Sequence, residues 1–565
     1  MAQLADPKIS RRDPNVVMTL ARMGSFHQCR LSFMRVLLRR MKTENWRFER
    51  RLFQIDARGV GRAVYTAHGP ERSYSLIAFA NDLPPEKRSD RVIATEWDAT
   101  FTLFDGIPTE ADIDRLAGNI PKQEAGRVTE SELSVSRANR SVRLFDYIID
   151  CLAAGYQPEA EKIWAVGYLM RTTAVYGSGK LGAADREKTE NRPEFRAPFQ
   201  VEMLSVYLTR AFVLDLVEEM ARLRSPDTAV VLDPVLRRSL GIGNSTGLGM
   251  APYLINHPVL LNNWIAAREE ALVRVRAVAS ASKAEARRFR EILARSILNI
   301  SYWRSEHPLQ REKVMGLACD IDLLVGHVEA AGLDGDHPWD ALWRWGEANL
   351  GLEAQELLAS LMMEPYGRLV DDLHICMAAD EAVAQRIDGA MRVDALKAIV
   401  EDVYGWALAT DWSVQAAQAR VWYTSEEKLE PRLGERFEEP LAPYEQPLAP
   451  GRDAAVMHRD LVAMADDDTV AAFVLAHPEH RHIVRRAQIA ARYPYAEIRD
   501  NTISAAMMPI DMLRAKLAFF GASHFDPRSD RWVRINMYRD APFPHELQAS
   551  GDDDWAYPAL EEAAQ

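Results

Sequence analysis

The segment 240–252 combines four glycines with three small polar residues directly before a helical pattern. Glycine allows backbone conformations that other residues avoid, and it lets a ligand approach the main chain closely. A helix that follows such a segment would direct free N–H groups and the positive end of its dipole at a bound anion. We therefore predict a loop that binds phosphate or carboxylate. The residues predicted to bind the substrate there are Gly243, Asn244, Ser245, Thr246, Gly247 and Gly249.

A second glycine-rich segment, 176–186, contains the pattern GxGxxG. A dinucleotide-binding fold requires a strand before these glycines. Because residues 160–173 show a helical pattern, we do not predict such a fold. Ser178, Lys180 and Arg186 fit an anion-binding loop instead, since lysine is a point charge and arginine a bidentate donor. The alternative is a glycine-rich helix end followed by a polar surface loop.

Three other side chains could transfer protons in the same reaction. His257 follows the segment 240–252 closely, and imidazole titrates near neutral pH. The neighbouring Pro258 fits equally well a simple helix start. Glu364 and Tyr366 open a run in which acid, phenol, guanidinium and imidazole groups occur within eleven residues, although a salt-bridged helix face explains such a run as well. The predicted catalytic residues are His257, Lys180, Glu364 and Tyr366.

No metal site is predicted. The run 477–482 contains three histidines and a glutamate, but it lacks the HExxH spacing of zinc enzymes, and Pro478 indicates the start of a helix. The four cysteines lie far apart and form no CxxC pair. No motif identifies a cofactor, although a bound flavin or nucleotide would be compatible with the two glycine-rich segments.

The order of the predicted elements gives a mainly α fold with an N-terminal α+β region that carries a small antiparallel sheet. Residues 1–125 hold the predicted strands, because their β-branched and aromatic residues are separated by turn signals. The predicted strands are 46–55, 61–66, 72–80 and 91–104. The other predicted regions are a helical body at 126–424 with both glycine-rich segments, a proline-rich arm or linker at 425–455, a smaller helical region at 456–548 and an acidic tail at 549–565.

The charge of the chain limits its partners. With 565 residues and a net charge of −13, the chain lacks the concentrated positive charge that nucleic-acid binding requires. We interpret the basic run 30–51 as a solvated helix face whose arginines pair with acids elsewhere in the fold, rather than as a surface for an anionic ligand, lipid or nucleic acid. No apolar run reaches the roughly 20 residues that span a bilayer, and the N-terminal residues lack a secretion signal. We therefore expect a cytoplasmic protein with no membrane partner.

These observations predict a cytoplasmic enzyme that acts on a small anionic metabolite by acid/base chemistry. Elimination, isomerisation and group transfer all fit, which leaves lyase, isomerase and transferase open. The alternative is a non-catalytic helical assembly or interaction protein, in which the proline-rich arm, the acidic tail and the tryptophans would make subunit contacts. The arm also predicts a homo-oligomer. The two glycine-rich segments favour the enzyme, because a scaffold has no need of their Ser, Thr, Asn and Lys residues.

Overall fold

The strands of the described residues form one mixed sheet of nine strands. The computed structural model describes residues 9–87, 96–119, 129–174, 189, 192–245, 257–301, 308–377, 386–413, 450–499, 514–522, 524–527, 533–551 and 553–557. The strands are β1 (Arg47–Ile55), β2 (Gly61–His68), β3 (Ser73–Ala80), β4 (Ala99–Asp105), β5 (Glu132–Arg140), β6 (Tyr168–Thr172), β7 (Gly241–Ser245), β8 (His524–Pro527) and β9 (Val533–Met537). Their order is β1-β2-β3-β4-β5-β6-β7-β9-β8, and β6 and β7 form the one parallel pair among these strands.

The predicted fold class is wrong about the sheet. The sequence predicts a small antiparallel sheet within residues 1–125, whereas the sheet is larger and mixed, and β5 to β9 all lie after residue 125. The strands β1 to β4 lie close to the four predicted strands, where turn signals separate β-branched and aromatic runs. The later strands β6 to β9 have only four or five residues each, so they show little periodicity. The described part of the protein is nevertheless mainly helical, as predicted.

Two glycines explain why the sequence hides the parallel pair. Instead of a helix over 160–173, the structure has the helix Ala160–Val166 followed by β6, because Gly167 ends the helix with a φ of 74°. The strand β7 has the sequence GIGNS, which has little intrinsic β propensity. A Cβ at Gly243 would come within 2.8 Å of side-chain atoms of Tyr168 and Arg171 on β6. Close packing between the two strands therefore requires this glycine.

The chain forms two compact units, each assembled from separate stretches. Unit 1 contains Met1–Ser25, Leu248–Arg290 and Met315–Ala515, and unit 2 contains Phe26–Gly247, Glu291–Val314 and Lys516–Gln565. The sheet belongs to unit 2, whose helices are Phe33–Thr43, Glu110–Asn119, Phe145–Ala153, Ala160–Val166, Gln200–Arg224 and Pro234–Arg238. The helices Lys283–Ser301 and Pro308–Ala331 have residues in both units.

Helices cover both faces of the sheet in unit 2. The long helix Gln200–Arg224 packs on one face, where the ring of Phe212 lies 5.7 Å from the ring of Phe101 on β4. The helix Glu110–Asn119 packs on the other face, in a cluster that includes Phe104 of the same strand. Phe101 and Phe104 are three residues apart, and side chains alternate between the faces of a strand. Apolar residues of both faces are therefore buried.

Unit 1 is helical among its described residues. Its helices are Pro14–Val17, Leu20–Met23, Pro258–Arg276, Pro338–Asn349, Leu352–Met362, Gly367–Val370, Val393–Leu408, Pro450–Val462, Val470–Ala476 and Arg481–Arg492. The last four of these helices share one buried cluster, to which Val400, Tyr404, Met457, Phe473 and Ile483 contribute. None of the described helices in the chain is both long enough and apolar enough to cross a membrane.

Several arginines of the basic run pair with acids of unit 2. Arg35 and Arg39 both form ion pairs with Asp553 of the acidic tail, and Arg50 forms one with Asp215 on the helix Gln200–Arg224. The pairing with acids agrees with our interpretation of the basic run, but the predicted solvated face is wrong for Arg35, which is fully buried. The pairing also gives the tail a packing role, because the Asp553 side chain is only 7% exposed.

Candidate functional site

The parallel strands β6 and β7 of unit 2 end side by side, at Thr172 and Ser245. We call the edge where these two strands end the carboxyl edge. In open sheets with parallel strands, ligands bind beyond the carboxyl ends of those strands. The glycine-rich segment 176–186 follows β6 in the sequence, and the segment 240–252 contains β7 and continues beyond it, which makes the carboxyl edge the candidate site.

The structure describes only part of the predicted substrate-binding set. Gly243 and Asn244 lie in β7, and the backbone of Ser245 forms its last residue. The other predicted residues of the two glycine-rich segments lie outside the described residues: Ser178, Lys180, Arg186, Thr246, Gly247 and Gly249. Gly243 packs against β6 as described above, whereas Asn244 offers a polar side chain near the end of its strand.

Asn244 connects the two parallel strands to a buried lysine. Its amide nitrogen donates a 2.8 Å hydrogen bond to the carbonyl oxygen of Thr172, the last residue of β6. Its amide oxygen accepts a hydrogen bond from the amine of Lys516, at 3.5 Å. Both Asn244 and Lys516 are 1% exposed. The amide N–H of Asn244 therefore bonds to β6, and its amide oxygen faces a buried amine.

Lys516 is the most unusual side chain at this position. It begins the π-helix Lys516–Phe520, whose other residues are Leu, Ala, Phe and Phe, all buried. Short π-helical segments occur frequently at functional sites. Burial lowers the pKa of Lys516 from its ordinary value to about 7. Its amine can therefore exist in both protonation states near neutral pH, as acid/base chemistry requires.

The strand β5, beside β6, carries polar side chains in the interior. All nine of its residues are buried, although six of them are polar or charged. The hydroxyl groups of Ser134 and Ser136 and the amide nitrogen of Asn139 have no hydrogen-bond partner among the described residues. Buried polar groups normally have partners, so this strand offers donors and acceptors that a ligand or water could use.

A buried carboxylate lies near the end of β4. Glu194 belongs to the short helix Pro193–Phe195 and is 3% exposed, and neither of its carboxylate oxygens has a hydrogen-bond partner among the described residues. Burial and the charge of Glu194 raise the pKa of Tyr74 to about 12. The adjacent Arg192 donates a 2.8 Å hydrogen bond to Asp105, the last residue of β4. These groups lie apart from the carboxyl edge, because Thr172 is level with Ala99, the first residue of β4, and not with Asp105.

The three other predicted catalytic residues belong to unit 1, so the structure does not bring them together with Asn244 in one unit. His257 directly precedes the helix Pro258–Arg276, and Pro258 occupies the first position of that helix. This is the helix start that we gave as the alternative. Glu364 and Tyr366 are buried in the short helix Glu364–Tyr366.

Tyr366 has a structural contact in the core of unit 1. Its hydroxyl oxygen accepts a 2.6 Å hydrogen bond from the indole nitrogen of Trp339, which is fully buried. Burial raises the pKa of Tyr366 above its ordinary value, which makes the phenol a weaker acid. This contact gives Tyr366 a packing role in the core of unit 1, and its catalytic role stays a prediction.

We expect Tyr366→Phe to lower the free energy of unfolding by about 1–3 kcal/mol, because the Trp339 N–H would lose its acceptor inside the core. Urea unfolding of the full-length variant measures this loss. Tyr156→Phe is the control, because Tyr156 is 58% exposed, and its effect should stay within about 0.5 kcal/mol. Equal stabilities of the wild type and Tyr366→Phe would contradict the structural role.

Sequence reasoning missed Lys516, the residue that now defines the site. One signal was available, because Lys516 stands inside the otherwise apolar run Ala515–Phe520 with no acid beside it. A lysine is rarely fully buried without a partner, so a helical run with one lysine among apolar residues indicates a special environment.

Comparisons of the chain with protein-family models, with curated protein sequences and with solved structures found no match.

Proposed function

We propose that this chain is an enzyme that binds a small anionic metabolite at the carboxyl edge and acts on it by acid/base chemistry. The observation that carries the proposal is the buried amine of Lys516, which lies against Asn244 where the parallel strands end. The two glycine-rich segments next to β6 and β7 in the sequence support it. The substrate would be a carboxylate or a phosphate ester.

The charge of Lys516 argues for an anionic ligand. A buried ammonium group is costly unless an opposite charge or several hydrogen bonds compensate it. Among the described residues, the amine of Lys516 makes one hydrogen bond, to the neutral amide of Asn244. A bound carboxylate or phosphate would supply the missing charge. Binding would then raise the pKa of Lys516 and take up a proton.

The lowered pKa of Lys516 supports a role in proton transfer. A base with a pKa of about 7 accepts a proton from substrate at neutral pH and, as the ammonium ion, returns it in a later step. This cycle serves elimination and isomerisation without net consumption of the amine. Asn244 would hold the amine in place, because its own amide is fixed by Thr172 on β6.

The remaining predictions complete this proposal. Ser178, Lys180, Arg186 and Thr246 would add donors and positive charge around the anion, together with the backbone of Gly247 and Gly249. Residues 425–455 would join copies of the chain into a homo-oligomer, and the enzyme would work in the cytoplasm. Native mass spectrometry of the purified chain measures both a retained metabolite and the oligomeric state.

Lys516→Met tests the role of the lysine. Methionine keeps the length and most of the volume of the side chain but removes the charge, so the variant should fold and should not be less stable than the wild type. We expect inorganic phosphate, succinate or citrate to raise the Tm of the wild type, because a ligand at 100 times its Kd adds about 2.7 kcal/mol of stability. We expect Lys516→Met to lose this increase.

Lys162→Met is the matched control, because Lys162 is 52% exposed and contacts Glu159 and the ring of Tyr147 on the surface. It should respond to the three anions as the wild type does. The proposal fails if none of these anions stabilises the wild type and no metabolite is retained in the native mass spectrum. It also fails if the anions raise the Tm of Lys516→Met as much as they raise the Tm of the wild type.

A further inference from the structure

Four side chains of unit 1 converge in a way that the run 477–482 alone does not reveal. Asp460, His477, Glu479 and His480 each bring one nitrogen or carboxylate oxygen within 4.8 Å of the others. Asp460 lies on the helix Pro450–Val462, whereas the other three surround the turn between the helices Val470–Ala476 and Arg481–Arg492. The fold therefore adds a second carboxylate to the histidines and glutamate of that turn.

Core packing holds the two imidazole rings of this group. Phe473 is fully buried in the cluster shared by the four helices, and its ring centroid lies 5.2 Å from that of His477 and 5.8 Å from that of His480. A ring nitrogen of His480 also lies 2.7 Å from a carboxylate oxygen of Asp460. These contacts keep the donor atoms close together, so an ion would need little rearrangement of the protein.

The donor set and its exposure fit a divalent transition metal. The side chains of Asp460, His477 and Glu479 are 38%, 32% and 56% exposed, so an ion can enter from solvent. Two carboxylates balance the charge of a divalent cation, and two imidazoles favour Zn²⁺ over Mg²⁺ or Ca²⁺, which prefer oxygen. In a tetrahedral zinc site with bonds of about 2.0–2.1 Å, neighbouring donor atoms lie about 3.3 Å apart, which small side-chain rotations would achieve.

We propose that Asp460, His477, Glu479 and His480 form a structural zinc site in unit 1. Four protein ligands complete a tetrahedral shell, which is the arrangement of structural rather than catalytic zinc. The ion joins the helix Pro450–Val462 to the turn that precedes the helix Arg481–Arg492. It stabilises the cluster of four helices and is independent of the reaction proposed for unit 2.

Zinc titration of the full-length chain tests this site. After removal of metal with a chelator, the chain should bind one Zn²⁺ per copy in isothermal titration calorimetry and should not bind Mg²⁺ under the same conditions. Glu479→Gln changes an exposed side chain and His477→Gln a partly exposed one, so both variants should fold. Each should weaken zinc binding by more than about tenfold. Substitution of residues that only hydrogen-bond to metal ligands already lowers metal affinity by about 10–100-fold.

His458→Gln is the matched control. His458 lies on the same helix as Asp460, but its ring contacts Glu401 and does not belong to the group of four. This variant should bind zinc as the wild type does. The proposal is overturned if the wild type shows no saturable binding of one Zn²⁺, if His477→Gln and Glu479→Gln bind as the wild type does, or if His458→Gln weakens binding equally.

Discussion

Replacement of Arg12 by methionine is expected to lower the free energy of unfolding by up to about 3–5 kcal/mol, because it removes an arginine that two buried carboxylates share and leaves Arg268 and Arg22 to compensate them. Arg12 donates hydrogen bonds to Glu269, at 2.7 and 2.8 Å, and to Glu356, at 2.6 and 3.2 Å. All three side chains lie in unit 1 and are at most 6% exposed. Chemical unfolding of the full-length variant measures the loss.

The electrostatics of Glu269 show why the cation matters. Burial by itself would raise the pKa of this carboxyl group, but the charges of Arg12 and Arg268 outweigh burial and lower the pKa to about 2. Removal of Arg12 takes away the largest of these favourable contributions. Glu269 then remains charged with weaker compensation or binds a proton, and both outcomes reduce stability.

The neighbouring Arg11 provides a matched control. It also forms an ion pair, with Glu270 at 2.7 Å, but its side chain is 45% exposed. Exposed pairs contribute about 0–1 kcal/mol, so Arg11→Met should have a small effect. If both substitutions cost the same, the buried cluster around Arg12 does not stabilise unit 1 in the way described.

Asp553→Asn is expected to lower the free energy of unfolding by up to about 3–5 kcal/mol at neutral pH, because it removes the charge of a buried carboxylate that Arg35 and Arg39 share. The Arg35 side chain has no exposed surface, and its guanidinium nitrogen lies 3.0 Å from the carboxylate of Asp553. Asp114→Asn is the control, because Asp114 pairs with Arg62 while 71% exposed. An equally small effect of both substitutions would contradict an anchoring role for the acidic tail.

Acidification should reproduce part of this effect in the wild type. Burial opposes ionisation of Asp553, but the charges of Arg35, Arg39 and Arg30 lower its pKa from 3.8 to about 2. The folded state therefore binds this proton less readily than the unfolded state, and the contribution of Asp553 to stability is present above pH 4. It disappears as the pH falls from about 4 to about 2, and it amounts to about 2–3 kcal/mol. Asp553→Asn should show a smaller loss of stability over the same interval.

The sequence allowed the first four strands of the sheet, β1 to β4, to be predicted. It also allowed us to predict that arginines of the basic run pair with acids. The strands β1 to β4 are long enough to show their periodicity, and the acids that pair with Arg35 and Arg50 are implied by the negative net charge. The parallel pair could not be predicted in the same way. Gly167, with its positive φ, divides a segment of helix-like composition into a helix and the strand β6. The sequence of β7, GIGNS, is typical of a loop.

The candidate site, like the sheet, could be predicted only in part. The sequence directs attention to the segment 240–252, and Asn244 does contact a group suited to chemistry. That group, Lys516, comes more than 250 residues later in the chain, so no local pattern connects the two. Asp460 is likewise separated from His477 in the sequence and meets it only through helix packing. The contact of Tyr366 with Trp339 likewise joins residues that no local sequence pattern connects.

The position of β9 beside β7 has a consequence for how the protein is made. β7 ends at Ser245, but its neighbour on the far side begins only at Val533. At about 5–20 residues per second, a ribosome needs about 15–60 s to synthesise the intervening chain. During that interval the nascent sheet has an unpaired edge at β7, and such edges recruit strands from other chains. Chaperone capacity and growth temperature should therefore govern the yield of folded protein more strongly than its final stability does.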